Sequence, residues 1–319
     1  MKKKTVCGRF APTPSGRIHL GNIFCSLLAW LQAKSQQGKI VLRIEDLDSI
    51  RCPRTNADTL AADLEWLGLT WDEGAYASEK GEDYFQSRRF PIYAHYLQQL
   101  EEQQLIYPCF CSRGELHAAN APHLSDGRVI YAGTCRHLTA EARAAKSKLR
   151  SPAYRIKVND TPISFQDGLY GKYSACLTEE CGDFIIRRSD GVYAYQLAVV
   201  IDDALMGVNQ VVRGCDLLSS TPMQLYLYKL LQLPAPAFMH IPLLVAQDGR
   251  RLAKRDRDLD LTELRHLYQS PEPIIGYLAY LAGQLPKPEP LKAEDLLPIF
   301  APDKVPTHNI IVPPTLPPL

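Results

Sequence analysis

A turn of small and rigid residues near the start of the chain comes directly before a predicted helix, and this arrangement could bind an anion. Residues 12–16 form the turn, and His19 stands where the helix is expected to begin. Free backbone N–H groups at a helix N-terminus favour negative charge, and the imidazole of His19 can donate one more hydrogen bond. Gly21 lacks a side chain, so a ligand can approach closely. The segment predicts a phosphate site, with a capped structural helix as the alternative.

A second segment that could bind phosphate is the basic run 251–255, Arg-Leu-Ala-Lys-Arg, about 230 residues downstream. It follows Asp248-Gly249, a pair of residues typical of a tight turn. A lysine on such a loop, here Lys254, can stabilise the negative charge of leaving phosphates. On its own the run is more typical of an exposed hairpin tip. Its position downstream of His19 favours the functional interpretation.

The elements that must hold these two segments alternate between helix and strand. Residues 22–36 have apolar side chains on one face and predict a helix. Residues 38–46 predict a buried strand with polar residues at its far end. This alternation argues for an α/β fold with a parallel sheet. It is interrupted from residue 108 to about 172, where turns and cysteines predict an insertion, and it returns at residues 195–202.

Further signals lie in the second half of the chain. Thr221 is expected to cap a helix that has Pro222 in its first turn, and residues 274–281 predict another helix. Residues 241–254 predict a hairpin that turns at Asp248-Gly249. Ten of the last 34 residues are proline, which predicts an extended and loosely packed tail.

Composition and charge limit the class of protein. With 319 residues, of which 46% are apolar, the chain can form a full core. No apolar run is long enough to cross a membrane, and the Met-Lys-Lys-Lys start lacks the apolar stretch of a signal peptide. We therefore expect a cytoplasmic protein whose nine cysteines are thiols or metal ligands. The net charge of +1 means that any nucleic-acid surface must be local.

The ordered pair of segments resembles the two ATP-binding signatures of class I aminoacyl-tRNA synthetases, called HIGH and KMSKS. The first departs from its namesake at Leu20 and Asn22, and the second departs at Arg251 and Ala253. The resemblance extends from residue 6 to residue 282 and is to the glutamate branch of that class. The segments that carry it are 9–14 (RFAPTP), 42–46 (LRIED), 182–188 (GDFIIRR), 195–200 (YQLAVV) and 212–218 (VRGCDLL).

This resemblance implies a Rossmann-type catalytic domain that activates glutamate with ATP and Mg²⁺. The implied ATP-binding residues are His19, Gly21, Asn22, Arg251 and Lys254, of which His19 and Lys254 are catalytic. The implied glutamate-binding residues are Arg9, Phe10, Ala11, Pro12, Thr13, Glu45, Tyr195 and Arg213. The expected units are the two halves of the catalytic domain (1–107 and 191–240), a zinc-bearing insertion (108–190), a loop with a small helical region (241–285) and the tail (286–319).

The residue types in the implied glutamate site suit an acidic amino acid. Glu45 can bind the α-amino group at the carboxyl end of a strand, where open α/β sheets hold ligands. Arg9 and Arg213 can bind the side-chain carboxylate with paired hydrogen bonds, and Tyr195 adds a hydroxyl. Glutamine is neutral and would leave these arginines uncompensated. Taken one at a time, Glu45 and Arg213 could form a surface ion pair, and Tyr195 could be a core residue.

Three cysteines in the predicted insertion have the spacing of a metal site. Cys109, Cys111 and Cys135 can supply thiolates, and structural zinc takes four protein ligands. The chemically usual candidates for the fourth ligand are His117, His123 and His137. The chain also resembles the short family of glutamyl-queuosine tRNA(Asp) synthetases, whose fourth ligand is at the position of Tyr131, so this resemblance favours Tyr131 and one structural Zn²⁺ per chain. Three free thiols in a turn-rich segment are the alternative.

Roughly 65 residues follow Lys254, too few for the helical domain that binds the anticodon in full glutamyl-tRNA synthetases. The chain is therefore most similar to the short family of glutamyl-queuosine tRNA(Asp) synthetases. That resemblance implies glutamyl-adenylate formation without tRNA, followed by transfer of glutamate to queuosine, the wobble base in the anticodon of tRNA(Asp). The tRNA would contact a local basic strip that includes Arg187, Arg188 and Arg250. We expect a monomer with no membrane partner.

Two other functions stay open at this point. A truncated or discriminating glutamyl-tRNA synthetase would charge the 3′ end of a tRNA, and a non-catalytic paralogue would only bind tRNA. The retained His19, Glu45, Arg213 and Lys254 disfavour the non-catalytic alternative. The expected lack of an anticodon domain disfavours the truncated or discriminating glutamyl-tRNA synthetase.

Overall fold

The computed structural model of the chain describes residues 5–112, 114–115, 130–250, 252 and 259–313. No helix within these ranges is both long and apolar enough to cross a membrane. The strands are β1 (Cys7–Phe10), β2 (Lys39–Leu42), β3 (Glu73–Gly74), β4 (Ile106–Cys109), β5 (Ala153–Ile156), β6 (Ile163–Asp167), β7 (Gly171–Ala175), β8 (Ile185–Arg187), β9 (Gln210–Gly214), β10 (Ala237–Ile241), β11 (Leu244–Val245) and β12 (Ile310–Ile311). The helices are α1 (Leu20–Lys34), α2 (Arg54–Trp66), α3 (Phe90–Glu102), α4 (Ala140–Ser147), α5 (Leu177–Glu180), α6 (Tyr195–Leu205), α7 (Thr221–Leu230), α8 (Leu261–Tyr268) and α9 (Glu272–Leu281). Short 3₁₀ helices cover Glu79–Tyr84, Gln86–Arg88, Cys215–Ser220, Ala293–Leu296 and Pro302–Lys304.

Parallel strands form the central layer, as the alternation of helix and strand predicts. β2 lies between β1 and β3, and all three are parallel. β10 lies between β9 and β6 and is parallel to both, while β7 is antiparallel to β6. β1 and β9 are neighbours, because the backbone N–H of Asn209 donates to the carbonyl of Cys7 (2.9 Å). The predicted α/β fold with a parallel sheet is confirmed.

Helix α1 begins at Leu20, slightly earlier than the apolar pattern predicted, because His19 caps it. The backbone N–H of Gly21 donates to Nδ1 of His19 (3.2 Å), and the backbone N–H of His19 donates to Oδ1 of Asn22 (3.3 Å). The cap fixes His19 at the end of the helix where the phosphate site is predicted. The residues of the apolar face that predicted this helix are all buried: Phe24, Leu27, Leu28 and Leu31.

Thr221 is not the helix cap that the sequence predicted. It is the first residue of α7, Pro222 follows it in the first turn, and Ser220 stands at the N-cap position. The hydroxyl of Thr221 instead accepts a hydrogen bond from Nη2 of Arg213 (2.7 Å). A tertiary contact has therefore taken precedence over the local capping preference.

The hairpin predicted over residues 241–254 is present only in part. A turn forms at its tip, where the backbone N–H of Gly249 donates to the carbonyl of Ala246 (2.9 Å). The strand before the turn, β11, has no returning arm as its partner among the residues that the structure describes. It pairs in parallel with β12 instead. Residues 251 and 253–258 lie outside the described ranges.

Residues 286–313, the described part of the proline-rich tail, pack against the rest of the protein, so the prediction of a loose tail is wrong for them. Leu296, Val305 and Val312 are buried in the main hydrophobic core. The backbone N–H of Ile310 donates to the carbonyl of Leu243 (2.9 Å), which attaches the tail beside β11. Proline prevents long helices, but the apolar residues between the prolines still reach the core from short 3₁₀ turns and one short strand.

A separate antiparallel sheet of β4, β5 and β8 supports the cysteine-rich region. β6 comes from the same interrupted stretch of sequence but belongs to the larger sheet, where it pairs with β10. The described chain therefore passes from the smaller sheet to the larger one and back. The predicted boundaries between units stay a prediction.

A buried arginine just beyond β2 organises the charges of the interior. Arg43 is fully buried, and it donates from Nη1 to Asp203 (2.6 Å) and from Nη2 to Glu45 (3.0 Å). Asp202 lies 3.9 Å from its Nε and also accepts from Nε of Arg89 (2.6 Å). Burial alone would lower the pKa of Arg43, but the three carboxylates hold it well above its ordinary value. The guanidinium therefore remains charged and links three carboxylates.

We expect Arg43→Leu to lower the free energy of unfolding by about 3–5 kcal/mol, because it leaves buried carboxylates without their cation. Equilibrium unfolding in urea, followed by circular dichroism, measures this change. The matched control is Arg51→Leu, since 83% of the Arg51 side chain is exposed and its partner Asp48 is 3.6 Å away. The control should change stability by less than about 0.5 kcal/mol. Equal effects of the two substitutions would contradict the role of Arg43.

Candidate active site

A cavity of about 710 Å³ lies between the ends of β1 and β9 and the N-terminus of α1. It is within the size range of small-molecule sites. All of the predicted glutamate-binding residues line it: Arg9, Phe10, Ala11, Pro12, Thr13, Glu45, Tyr195 and Arg213. The predicted ATP-binding residues of the first motif line it as well: His19, Gly21 and Asn22. The fold therefore brings residues from distant parts of the sequence to one site.

His19 faces this cavity from the N-terminus of α1. Because its Nδ1 accepts the N–H of Gly21, a neutral imidazole carries its proton on Nε2 and can donate from there. Gly21 leaves room for this arrangement, since a Cβ at that position would make a tight contact of 3.1 Å with Cε1 of His19. From the sequence, Gly21 is expected to let a ligand approach closely. In the structure it also lets the imidazole of His19 approach closely.

The small-residue turn is held beside Glu45 by two hydrogen bonds. The backbone N–H of Glu45 donates to the carbonyl of Pro12 (3.1 Å). The side chain of Asn56 donates to the carbonyl of Pro14 (3.1 Å). These bonds place the predicted anion-binding turn next to the predicted carboxylate for an α-amino group.

Glu45 reaches the cavity just beyond β2, with 8% of its surface exposed. One of its oxygens accepts from Nη2 of Arg43. Burial raises the pKa of Glu45 above its ordinary value, while Arg43 and Arg9 oppose that shift. A ligand ammonium group beside it would add a further cation that favours the ionised carboxylate.

Arg9 is held against β9 at the inner end of the cavity. Its Nη1 donates to the carbonyl of Val212 (2.9 Å), and its Nε lies 3.7 Å from Asp203. Asp203 is shared with Arg43. The positive charge of Arg9 is therefore compensated in part by the protein.

Arg43 and Arg9 each have a carboxylate within 4 Å, whereas the hydrogen-bond partners of Arg213 are all neutral. It donates from Nε to Nε2 of His240 (3.0 Å), from Nη1 to Oε1 of Gln224 (2.8 Å) and from Nη2 to Oγ1 of Thr221 (2.7 Å). The residue is 4% exposed, and burial lowers the pKa of its guanidinium. Within the described part of the chain, no carboxylate forms an ion pair with it. A ligand carboxylate in the cavity would supply that partner.

Tyr195 is the first residue of α6 and lines the cavity near both charged groups. Burial raises the pKa of its phenol, and the negative charge of Glu45 acts in the same direction. The hydroxyl therefore keeps its proton, and it also forms a hydrogen bond with Arg213. The predicted role of Tyr195 as a neutral hydrogen-bonding group is compatible with this position.

The residues around Arg213 were missed by sequence reasoning. Thr221 was interpreted as a helix cap, and no motif includes His240 or Asp167. The last two are both fully buried, and Nδ1 of His240 lies 2.6 Å from Oδ2 of Asp167. Strand register brings them to the site, because His240 on β10 is directly opposite Arg213 on β9. No local pattern in the sequence marks such a contact.

The second basic segment is described at one position only. Arg251 and Lys254 lie outside the described residues, so their ATP-binding roles stay predictions. Leu252 between them is 3% exposed and lines the cavity. Asp216, a carboxylate that the sequence did not mark, lines the same cavity.

The three cysteines predicted to bind a metal lie together at the carboxyl end of β4. The Sγ atoms of Cys109, Cys111 and Cys135 are within 4.8 Å of one another. The hydroxyl oxygen of Tyr131 is 3.4 Å from Sγ of Cys109 and 3.8 Å from Sγ of Cys111. Four donor atoms thus converge, three of them sulfur, and this set fits a tetrahedral metal site.

Backbone geometry brings Tyr131 close to this cluster. Gly182 has φ +64°, and a Cβ there would lie 2.2 Å from the carbonyl oxygen of Tyr131. Only glycine allows this close contact. The guanidinium of Arg155 lies 3.7 Å from the centroid of the Tyr131 ring, where its charge would stabilise a phenolate.

The alternative histidine ligands have no support from the described residues. His117 and His123 lie outside the described ranges, and His137 is exposed and apart from the clustered donors. Burial and the neighbouring Cys109 raise the pKa of Cys111 to about 12. Metal binding would therefore displace the proton of this thiol.

The three arginines predicted to contact tRNA have local partners. Arg187 lies over two tyrosine rings, 6.0 and 5.6 Å from their centroids. Arg188 and Arg250 each form an ion pair with an aspartate on the same turn. Contact with a nucleic acid would require these side chains to exchange partners, and it stays a prediction.

Comparisons with known proteins identify the family of this chain. Residues 5–295 match the family model described as tRNA synthetases class I (E and Q), catalytic domain. A protein of Symbiobacterium thermophilum named Glutamyl-Q tRNA(Asp) synthetase is 47% identical over 311 residues, which cover 97% of this chain and 96% of that protein. A protein of the same name from Nitratidesulfovibrio vulgaris is 48% identical over 309 residues, which cover 96% of this chain and 95% of that protein.

A solved structure has the same fold. It is titled as a glutamate tRNA ligase from Elizabethkingia meningosepticum in complex with its amino acid, and it aligns with a TM-score of 0.82 at 27% identity. The alignment covers 97% of this chain and 67% of that one. The chain therefore belongs to the class I glutamyl- and glutaminyl-tRNA synthetase catalytic-domain family and, within it, to the glutamyl-Q tRNA(Asp) synthetases.

Proposed function

We propose that this chain activates L-glutamate with ATP in the absence of tRNA and transfers it to the queuosine wobble base of tRNA(Asp). In the first step a carboxylate oxygen of glutamate attacks the α-phosphorus of ATP, and pyrophosphate leaves. In the second step a hydroxyl of the queuosine cyclopentene diol attacks the glutamyl carbonyl carbon, the hydroxyl proton is lost, and AMP leaves. Family membership supports an ATP-dependent ligase, and the relatives' names point to the acceptor.

The observation that carries the glutamate assignment is the environment of Arg213. A buried guanidinium whose hydrogen-bond acceptors are all neutral is stabilised by an anionic ligand. The side-chain carboxylate of glutamate supplies that anion, with the fork geometry that arginine favours. The amide of glutamine would leave the charge uncompensated, so the site favours glutamate.

The other end of the amino acid is assigned to Glu45. Its carboxylate lines the cavity and is oriented by Arg43. The α-ammonium group would bind there, while Tyr195 and Arg9 stand between the two ends of the ligand as further hydrogen-bond donors. This arrangement fixes the direction of the substrate, so that its α-carboxylate faces the phosphate end of the cavity.

The phosphate end is assigned to the N-terminus of α1. The attacking carboxylate is already ionised, so the reaction needs positioning and charge stabilisation rather than a general base. His19 can donate from Nε2 to a phosphate oxygen, next to Gly21 and Asn22. Lys254 and Arg251 would stabilise the departing pyrophosphate together with the Mg²⁺ of MgATP. Leu252, which lies between them in the sequence, lines the cavity and supports this assignment.

The acceptor is assigned from the relatives' names and from chemistry. Queuosine carries a cyclopentene diol, which resembles the cis-diol of the terminal ribose that a synthetase normally acylates. The tRNA would place its anticodon loop where a tRNA-charging enzyme binds the 3′ end. Arg187, Arg188 and Arg250 are the proposed phosphate contacts.

We also propose that the cysteine cluster holds one structural Zn²⁺. Cys109, Cys111, Cys135 and Tyr131 would fill all four positions, which leaves none for chemistry. The bound ion would join the end of β4 to residues 131–135. Arg155, which packs on the Tyr131 ring, would compensate the negative charge of a thiolate-rich site.

The proposed first step predicts glutamate-dependent ATP–pyrophosphate exchange without tRNA. Arg213→Ala should raise the KM for glutamate by roughly 30-fold or more, because a charge-assisted hydrogen-bond pair is lost, and should change the KM for ATP by less than about threefold.

Lys254→Ala should instead lower the kcat of the exchange reaction. Arg88→Ala, at an exposed position, is the control and should match the wild type. A complete lack of exchange by metal-replete wild-type protein would rule out the enzyme assignment.

The proposed acceptor can be separated from a tRNA 3′ end in one experiment. Queuosine-containing tRNA(Asp) whose terminal ribose has lost both hydroxyl groups should still accept labelled glutamate, because the wobble base is untouched. A tRNA(Asp) that lacks queuosine but keeps an intact terminal ribose should accept none. The opposite pattern would identify a glutamyl-tRNA synthetase that charges the 3′ end.

The proposed zinc site predicts one equivalent of zinc per chain by mass spectrometry of purified protein. Cys109→Ser should lose most of this zinc, because thiolate ligands dominate the site. Cys176→Ser is the matched control, since Cys176 lies outside the cluster, and it should retain the metal. Full zinc retention by Cys109→Ser would refute the proposed ligand set.

A further inference from the structure

A histidine that the proposed reaction does not use lies directly behind Arg213. His240 on β10 is fully buried, and its Nε2 accepts from Nε of Arg213 (3.0 Å). Its other ring nitrogen, Nδ1, lies 2.6 Å from Oδ2 of Asp167. The sheet creates this row of three side chains, because β10 lies between β9, which carries Arg213, and β6, which ends at Asp167.

The contacts of His240 define its protonation state. Arginine has N–H donors and no acceptor, so the ring nitrogen that faces Arg213 must present a lone pair. The proton of the neutral imidazole is then on Nδ1, where it is donated to Asp167. Burial lowers the pKa of His240, and the charges of Arg213 and Arg9 act in the same direction, which agrees with a neutral ring.

Asp167 is itself held by backbone donors. It accepts the N–H groups of Leu169 and Tyr170, each at 3.0 Å, and the N–H of His240 at 3.1 Å. A carboxylate fixed in this way orients the imidazole and makes its Nε2 a stronger acceptor. His240 on β10 and Asp167 on β6 thus help to determine the direction of the Arg213 guanidinium on β9.

The neutrality of these acceptors has a consequence for binding. A carboxylate in the place of His240 would form an ion pair with Arg213 and cancel the charge that faces the cavity. The imidazole, the Thr221 hydroxyl and the Gln224 amide hold the guanidinium without cancelling it. The amide is oriented in turn, because its Nε2 donates to Gln196 (2.7 Å).

We propose that His240, held by Asp167, is a positioning residue for glutamate recognition. It fixes the Arg213 guanidinium in the cavity and leaves its charge for the side-chain carboxylate of the substrate. This inference deepens the proposed function and rests on it. Because neither His240 nor Asp167 lines the cavity, the effect reaches the substrate through Arg213 and falls on glutamate binding.

Three variants test the proposal. His240→Phe keeps an aromatic ring beside Phe165 and Phe238 but removes the acceptor, and His240→Gln keeps a neutral acceptor. His95→Phe, at an exposed position on α3, is the matched control. Thermal melting checks that each variant folds. Pyrophosphate exchange gives the KM values for glutamate and ATP, and calorimetry without ATP gives the Kd for glutamate.

His240→Phe should raise the KM and the Kd for glutamate by roughly tenfold to a hundredfold, because Arg213 loses a hydrogen bond that orients it. Its kcat and its KM for ATP should stay within about twofold of the wild type. His240→Gln should bring the KM for glutamate back to within about threefold. His95→Phe should leave all four quantities unchanged.

Unchanged glutamate affinity in His240→Phe, or equal rises in the KM for glutamate and for ATP, would overturn the proposal. So would a His240→Gln variant that binds glutamate as weakly as His240→Phe. If His240→Phe does not fold, His240→Leu takes its place under the same criteria. If the wild type binds glutamate but gives no exchange, the proposed reaction fails and calorimetry still decides the positioning role. If the wild type binds no glutamate, both fail.

Discussion

The charge network around Arg43 is the interaction on which the site depends. Water is excluded from this side chain, so its charge must be balanced by the protein, and Asp203, Asp202 and Glu45 do so. Through Asp203 the same network reaches Arg9. A buried ion network costs desolvation energy and gains little net stability. Its benefit here is that the carboxylate assigned to the substrate ammonium group stands on a rigid support, fixed in direction before any ligand arrives.

Arginine serves two opposite purposes in this protein, one behind the cavity and one in its wall. Arg43 is surrounded by carboxylates, so its charge is compensated within the protein. Arg213 is surrounded by a ring nitrogen, an amide oxygen and a hydroxyl, so its charge is directed outward. Residue type alone therefore does not determine which arginine binds an acidic substrate. The partners decide it, and the selectivity for a charged side chain over its neutral amide follows from that difference.

Spacing along the chain predicted the parts of the site that local physics determines. The turn before α1, the capping position of His19, the helix face below it and the cysteine cluster all follow from short patterns. The cage around Arg213 could not be predicted, because Thr221 and His240 come from α7 and β10 and reach Arg213 only through tertiary packing and strand register. The same limit explains the two errors. Thr221 has the propensity of a cap, and the tail has the composition of a loose segment, but long-range contacts outweigh both local preferences.

The pairing of β12 with β11 makes the proline-rich tail a support of the cavity wall. Leu243 and Leu244 line the cavity, and the backbone of Leu243 is bonded to Ile310. The family match ends at residue 295, before this strand begins. A shortened protein cut at the end of this family match would therefore lose the backbone pairing that supports one wall of the candidate site. The part of the chain that the fold needs is thus longer than the catalytic domain that the family model describes.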